Sequence, residues 1–138
     1  MIKSINPSTG KLIQEYNIYS EEETALIIGQ VSDEYNVWRM ISFQERKNIL
    51  LNIANSLNKN LMEHASMISM EIGKPIVESK MEIEKCVWVI EYFAENAEEF
   101  LKNEIIKTGY NESYVQCDPL GVIFGVMPWN FPYWQVIR

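Results

Sequence analysis

The apolar positions follow a helical period through most of the first 103 residues. Over residues 49–57 they recur at i, i+1, i+4, i+5 and i+8, which is one face of a helix. A longer stripe recurs at alternating spacings of three and four: Ile83, Cys86, Ile90, Phe93, Ala97 and Phe100. This stripe predicts a long helix over residues 75–103 with Cys86 in its buried face.

Start and stop signals divide this part of the chain into four helices. Two Ser-x-x-Glu capping boxes, at Ser20 and Ser42, predict the starts of the first two helices. The first helix is predicted over residues 20–38. The third is predicted over residues 60–72 and ends at Gly73, a residue type that readily forms the left-handed turn at a helix C-terminus.

Extended patterns lie on both sides of the helical part. At the start of the chain, short apolar stretches flank a turn-forming run at residues 6–10, which predicts a β-hairpin. Residues 105–107 and 113–118 predict two strands joined by a turn. Residues 120–127 are apolar on both faces, as in a strand of a parallel sheet covered on both sides. Together these patterns predict an α/β fold.

The turn after this apolar stretch holds the strongest candidate functional residues. Pro128 and Pro132 restrict the backbone on either side of Trp129 and Asn130. Ligands of open α/β sheets bind at the carboxyl ends of the strands, and a neutral amide can stabilise a developing oxyanion. The alternative, left open by the residues alone, is a turn in which Asn130 satisfies neighbouring backbone groups.

Charge and composition exclude several classes. The net charge is −7, whereas binding to nucleic acid requires clustered Lys and Arg. No apolar run approaches the roughly 20 residues of a membrane helix. Residues 1–10 lack the apolar core of a secretory signal. We therefore expect a cytoplasmic protein that binds neither nucleic acid nor membrane.

Cysteine and histidine offer no obvious metal or nucleophile set. Cys86 lies on the helical stripe and Cys117 lies in a predicted strand. His64 is the single histidine, and no acidic or thiol partner lies at ligand spacing around it. We expect no metal site and an ordinary helical role for His64. The dinucleotide fingerprint G-x-G-x-x-G is absent as well.

These motifs, taken together, resemble the N-terminal part of the aldehyde dehydrogenase superfamily. The shared motifs are Asn6-Pro7-Ser8-Thr9-Gly10, Trp38 with Glu45-Arg46, Glu71-Ile72-Gly73-Lys74-Pro75 with Glu78, Pro119-Leu120-Gly121-Val122-Ile123 and Pro128-Trp129-Asn130-Phe131-Pro132. The run Pro132-Tyr133-Trp134-Gln135 is most similar to the succinate-semialdehyde dehydrogenase branch. The resemblance covers the whole chain in one register.

The resemblance implies the N-terminal portion of a Rossmann-like α/β fold, which would be incomplete in this chain. Residues 1–103 correspond to the helical part of the cofactor-binding domain. Residues 104–118 correspond to the start of an oligomerisation hairpin, which implies a homo-oligomer. Residues 119–138 correspond to the first Rossmann strand and the start of the next helix, where the chain is expected to be truncated.

The resemblance also implies roles for the residues around the turn. NAD or NADP is expected to bind at Val126, Met127, Pro128, Trp129 and Asn130. Asn130 is also expected to donate its amide to the oxyanion formed during catalysis. The nucleophilic Cys and general-base Glu of the family lie later in family sequences than the part matched here. We therefore expect a fragment of an enzyme that oxidises an aldehyde, such as succinate semialdehyde, to the carboxylate, and no activity from the fragment alone.

A second hypothesis is a naturally short, non-catalytic interaction module that pairs with full-length subunits. Residues 120–127 favour the enzyme fragment instead. A module maintained for its own sake is not expected to expose an apolar strand that lacks its parallel neighbours.

Overall fold

The helices form where their local signals predict them. The computed structural model describes residues 1–138. Its helices are α1 (Glu21–Trp38), α2 (Phe43–Lys59), α3 (Leu61–Ile72), α4 (Ile76–Phe100) and the short α5 (Trp134–Ile137). Both predicted capping boxes are present, at Ser20 and Ser42. Gly73 ends α3 with a φ of 77°, in agreement with the predicted stop.

The predicted N-terminal hairpin is confirmed. Strands β1 (Ile2–Ile5) and β2 (Leu12–Tyr16) pair antiparallel. Asn6 closes the connecting turn, because its Oδ1 accepts the backbone N–H groups of Ser8 and Thr9. Gly10 supplies the positive φ, 69°, that this turn requires.

The second hairpin is much shorter than the sequence predicts. Only β3 (Glu104–Ile105) and β4 (Tyr114–Val115) pair, again antiparallel. Beyond these pairs the Ile106 N–H donates to the Ser113 carbonyl at 2.8 Å, and the remaining residues of the predicted strands make no backbone hydrogen bond across the hairpin. Alternation alone predicts strand-forming residues, but the length of a strand depends on the partner beside it.

The core lies where α2 and α3 pack against α4. Its apolar members are small or branched side chains: Ala54, Ala65, Ile68, Ile83, Cys86, Val89, Ile90 and Ala94. Cys86 is fully buried, as the stripe predicts. Burial along α4 ends at Ala94, and Phe93 and Phe100 remain 41% and 53% exposed. α1 contributes no buried residue.

Residues 120–127 do not form the predicted buried strand. They belong to no helix or strand, and Leu120 and Phe124 are 94% and 91% exposed. A strand is stabilised by backbone hydrogen bonds to a neighbour, and neither two-stranded sheet of this chain includes the segment. The prediction of a buried strand over residues 120–127 is therefore wrong. None of the helices has the length and apolar character that crossing a membrane requires.

Candidate functional site

The turn at residues 128–132 lies at the surface, between the exposed segment and α5. Trp129 is 75% exposed, and Asn130 is exposed as well. The Asn130 side chain makes no hydrogen bond to the neighbouring backbone. The backbone N–H groups of Tyr133 and Trp134, just after the turn, instead donate to a side chain of another element. The structure therefore does not show Asn130 as a local cap of the turn, and its amide is available to another group.

A buried ion pair lies against the C-terminal side of this turn. Lys74 Nζ is 2.6 Å from Glu82 Oε2, and the two side chains are only 9% and 2% exposed. The pair forms because Gly73 ends α3 in a left-handed turn, and the short link to α4 places Lys74 against Glu82 roughly two turns into α4.

Glu82 also binds the backbone just after the turn. Its Oε1 accepts the N–H groups of Tyr133 at 3.0 Å and Trp134 at 3.1 Å. These groups begin α5 and have no partner within it, so the carboxylate satisfies them. Lys74 Nζ lies 3.8 Å from the centre of the Phe131 ring. The ion pair therefore contacts three residues that closely follow Asn130.

Two further contacts attach this region to the helices. Tyr133 Oη lies 2.9 Å from His64 Nδ1, and the two rings meet edge to face. Burial raises the pKa of the Tyr133 phenol, with neighbouring groups including Cys86 acting in the same direction. Lys85 Nζ lies 3.8 Å from the centre of the Trp134 ring. His64, expected to be an ordinary helix residue, thus joins α3 to the residue after the turn.

Two large open cavities border the region, with a smaller one of about 240 Å³ between Pro132 and α5, and the predicted site residues are gathered in none of them. One, of about 530 Å³, lies between α4 and α5 and is lined by Glu78, Met81, Glu82, Lys85, Phe131, Trp134, Gln135 and Arg138. The other, of about 620 Å³, includes Trp129 together with residues of β1 and the end of α3. Val126 is 84% exposed and Met127 is 46% exposed, and neither lines these cavities.

Cys86 is not arranged as a nucleophile. Burial, assisted by the nearby Glu82 charge, raises the pKa of the Cys86 thiol to about 11. The reactive thiolate is therefore scarce at neutral pH. Cys117 is exposed and lines neither of the two large cavities beside the turn. No cluster of His, Cys, Asp and Glu side chains is arranged to hold a metal ion.

Sequence reasoning did not identify the Lys74–Glu82 pair. The available signal was the spacing of Glu82, which precedes Cys86 by four residues and so shares the buried face of α4. A carboxylate on such a face is almost always paired. Its partner could not be read from the helical pattern, because Lys74 lies outside α4.

The chain is a mixed α/β protein in which packed helices support the turn at residues 128–132. This turn exposes Trp129 and Asn130 between two prolines and is the candidate ligand site. The family model for the aldehyde dehydrogenase family matches residues 1–138. The chain belongs to the aldehyde dehydrogenase family. This confirms the resemblance indicated by the motifs and the predicted fold class.

Named relatives point to one branch of the family. The chain is 36% identical over 137 residues to a probable NADP+ succinate-semialdehyde dehydrogenase of Synechocystis sp., covering 99% of this chain and 30% of that protein. It is 35% identical over 140 residues to NADP+ succinate-semialdehyde dehydrogenase 1 of Mycobacterium bovis, with 99% and 31% covered.

Solved structures of enzymes with different aldehyde substrates share the fold of this chain. The crystal structure of succinic semialdehyde dehydrogenase from Streptococcus pyogenes in complex with NADP+ matches with a TM-score of 0.92 and 29% identity, over 98% of this chain and 30% of that chain. Glyceraldehyde-3-phosphate dehydrogenase from Methanocaldococcus jannaschii, complexed with NADP, matches with a TM-score of 0.93 and 25% identity, over 99% and 30%. The chain thus spans about 30% of the length of the proteins it matches.

Proposed function

We propose that this chain is the N-terminal part of an NAD(P)-dependent aldehyde dehydrogenase that oxidises succinate semialdehyde to the carboxylate. The observation that carries the proposal is the exposed Trp129–Asn130 turn, which lies in a chain similar to succinate-semialdehyde dehydrogenases over 99% of its length. Two relatives are named as NADP+ enzymes, and on this ground we expect the complete enzyme to use NADP+ rather than NAD+.

Asn130 would act as the donor to the oxyanion. When a thiolate attacks an aldehyde carbon, negative charge moves onto the carbonyl oxygen. A neutral amide stabilises that charge by a hydrogen bond and does not need to change its own protonation state. The exposed Asn130 amide, which makes no bond to the turn backbone, fits this role.

The dinucleotide would lie against Val126, Met127, Pro128 and Trp129, with Asn130 at the edge nearest the substrate. The support is the Trp129 indole, which is 75% exposed and offers a flat apolar surface on which a ring of the cofactor would stack. When bound, the nicotinamide supplies the hydride acceptor for the oxidation. In this arrangement residues 1–103 form the helical support of the cofactor site, and residues 119–138 form its floor and the start of the next helix.

Residues 104–118 would contribute to a homo-oligomer. Strands β3 and β4 pair only with each other, so each leaves its outer edge open. Ile105 is 68% exposed and Val115 is 55% exposed. An open, apolar strand edge is a template for pairing with another chain, which supports an oligomerisation hairpin.

The 138-residue chain alone is expected to be inactive. It carries Asn130, but the Cys86 thiol is fully buried and its raised pKa, about 11, keeps it protonated at neutral pH. Cys117 is exposed but lines neither large cavity beside the turn, and the resemblance to the family implies a nucleophilic Cys later in the sequence than the part matched here.

The test compares this chain with a joined enzyme, in which residues 1–138 replace the matching part of a succinate-semialdehyde dehydrogenase relative. Both are incubated with succinate semialdehyde and either NADP+ or NAD+, and reduced nicotinamide is followed by absorbance. We expect turnover by the joined enzyme and none by the chain alone. Turnover by the purified chain, or a joined enzyme that binds cofactor but rejects this aldehyde in favour of others, would contradict the proposal.

A further inference from the structure

We propose that Glu82, held by Lys74, is a positioning residue for Asn130. Its buried carboxylate would fix the backbone on the C-terminal side of the turn and thereby the direction of the Asn130 amide. The inference rests on the oxyanion role proposed for Asn130 and assigns a task to an ion pair that contacts none of the five predicted ligand-binding residues.

The first support is that Glu82 uses both of its oxygens. Oε1 accepts two backbone N–H groups, from Tyr133 at 3.0 Å and Trp134 at 3.1 Å, and Oε2 accepts from Lys74 Nζ at 2.6 Å. The backbone after the turn is therefore tied to α4 at two consecutive residues. Since α4 supplies most of the buried core, this anchor belongs to the best-packed part of the chain.

The second support is that Lys74 contacts the same turn from another side. Its Nζ lies 3.8 Å from the centre of the Phe131 ring, next in sequence to Asn130. The cation is only 9% exposed and has Glu82 as its ion-pair partner. Any movement of the turn that separated Phe131 from Lys74 would leave a buried charge less well compensated.

Burial distinguishes this pair from an ordinary surface ion pair on the same helix. Lys80 and Glu84 are 3.6 Å apart, with side chains 48% and 50% exposed, and they hold no backbone group. Exposed pairs of that kind contribute little. Hydrogen bonds from backbone N–H groups to a carboxylate are stronger than neutral ones, and two of them on consecutive residues fix the direction of the backbone. Displacing a catalytic donor by about 1 Å can cost about 100-fold in rate, so such an anchor would matter to catalysis.

The structural half of the proposal is tested in the 138-residue chain by amide hydrogen exchange. Glu82→Gln keeps the shape of the side chain but removes its charge. We expect the amides of Tyr133 and Trp134 to exchange about tenfold faster, because bonds to a neutral acceptor are weaker. Glu84→Gln, on the exposed side of α4, should leave both amides unchanged. Unchanged exchange in Glu82→Gln would overturn the proposal.

The catalytic half is tested by a double-mutant cycle in the joined enzyme. Glu82→Gln should lower kcat about tenfold while the cofactor dissociation constant changes less than about twofold. In the Asn130→Ala background the same substitution should add little, because there is no amide left to position. An equal loss in both backgrounds would show that Glu82 acts on the fold in general and would overturn the inference. If Asn130→Ala alone leaves kcat unchanged, the oxyanion role proposed for Asn130 is wrong. The catalytic part of the proposal for Glu82 is then wrong as well.

Discussion

Helix α4 and residues 120–127 both carry apolar positions whose pattern predicts burial, but their surroundings are opposite. Ile83 on α4 is fully buried, whereas Leu120 is 94% exposed. The difference lies in the partners: α2 and α3 cover α4, but no strand of this chain lies beside residues 120–127. An apolar pattern therefore indicates that burial of a segment would be favourable. Whether the segment is buried depends on the elements that pack beside it.

The first two helices repeat this contrast with identical local signals. α1 and α2 both begin with a Ser-x-x-Glu capping box in which both reciprocal bonds are formed. α2 packs against α4 and buries Ala54, whereas α1 buries no residue. Capping determines where each helix starts, and packing determines whether that helix contributes to the stability of the whole chain.

The largest expected effect comes from removing a buried side chain of α4. Ile83→Ala should lower the free energy of unfolding by about 2–5 kcal/mol, because it leaves a cavity in the core. Leu120→Ala, the matched change in the exposed segment, should alter it by less than about 0.5 kcal/mol. Urea unfolding of the 138-residue chain, followed by far-ultraviolet circular dichroism, measures both. Similar decreases in the free energy of unfolding in the two variants would contradict the conclusion that α4 is packed and residues 120–127 are not.

A smaller effect should appear at alkaline pH. The Cys86 thiol has its pKa raised from 9.0 to about 11 in the folded chain, so the folded state favours the neutral thiol. Its contribution to stability is complete below pH 9 and is lost as the pH rises towards 11, by about 2–3 kcal/mol at most.

The check is urea unfolding of the wild type, Cys86→Ala and Cys117→Ala across this pH range. The advantage of the wild type over Cys86→Ala should shrink as the pH rises. Cys117 is exposed, so Cys117→Ala should follow the wild type at every pH. A gap between wild type and Cys86→Ala that stays constant with pH would contradict the burial of this thiol.

The smallest effect concerns the two capping boxes. Ser42→Ala should lower the free energy of unfolding by about 1 kcal/mol, because α2 forms part of the packed core. Ser20→Ala removes the same cap from α1, and we expect a smaller change in global stability because α1 buries no residue. Thermal unfolding of both variants makes the comparison. An equal decrease in melting temperature would show that α1 is coupled to the core after all.

The elements that could be predicted from sequence are those whose causes are local. The starts at Ser20 and Ser42 and the stop at Gly73 each depend on a few adjacent residues, and all three are confirmed. The strand predicted over residues 120–127 depended on distant partners, and it is absent. The β3–β4 ladder is shorter than predicted for the same reason.

The candidate site shows the same division. Its turn could be located because two prolines and a Trp-Asn pair are adjacent in sequence, although the roles of Trp129 and Asn130 stay predictions. The support of the turn could not be located. Lys74 and Glu82 come from different elements, and their contacts with Tyr133 and Trp134 exist only after the chain folds. Hydrophobic periodicity describes positions within one element, so it does not predict contacts between residues of different elements.

The function proposed for the turn is tested most directly by substituting Asn130 and Trp129 one at a time in the joined enzyme. Steady-state kinetics would be measured for Asn130→Ala and Trp129→Ala, with cofactor binding followed by fluorescence titration. Asn130→Ala should lower kcat about 10²- to 10³-fold with little change in cofactor affinity, because one oxyanion donor is lost. Trp129→Ala should weaken cofactor binding first. A near-normal kcat in Asn130→Ala would contradict the proposed function and leave this asparagine a structural residue of the turn.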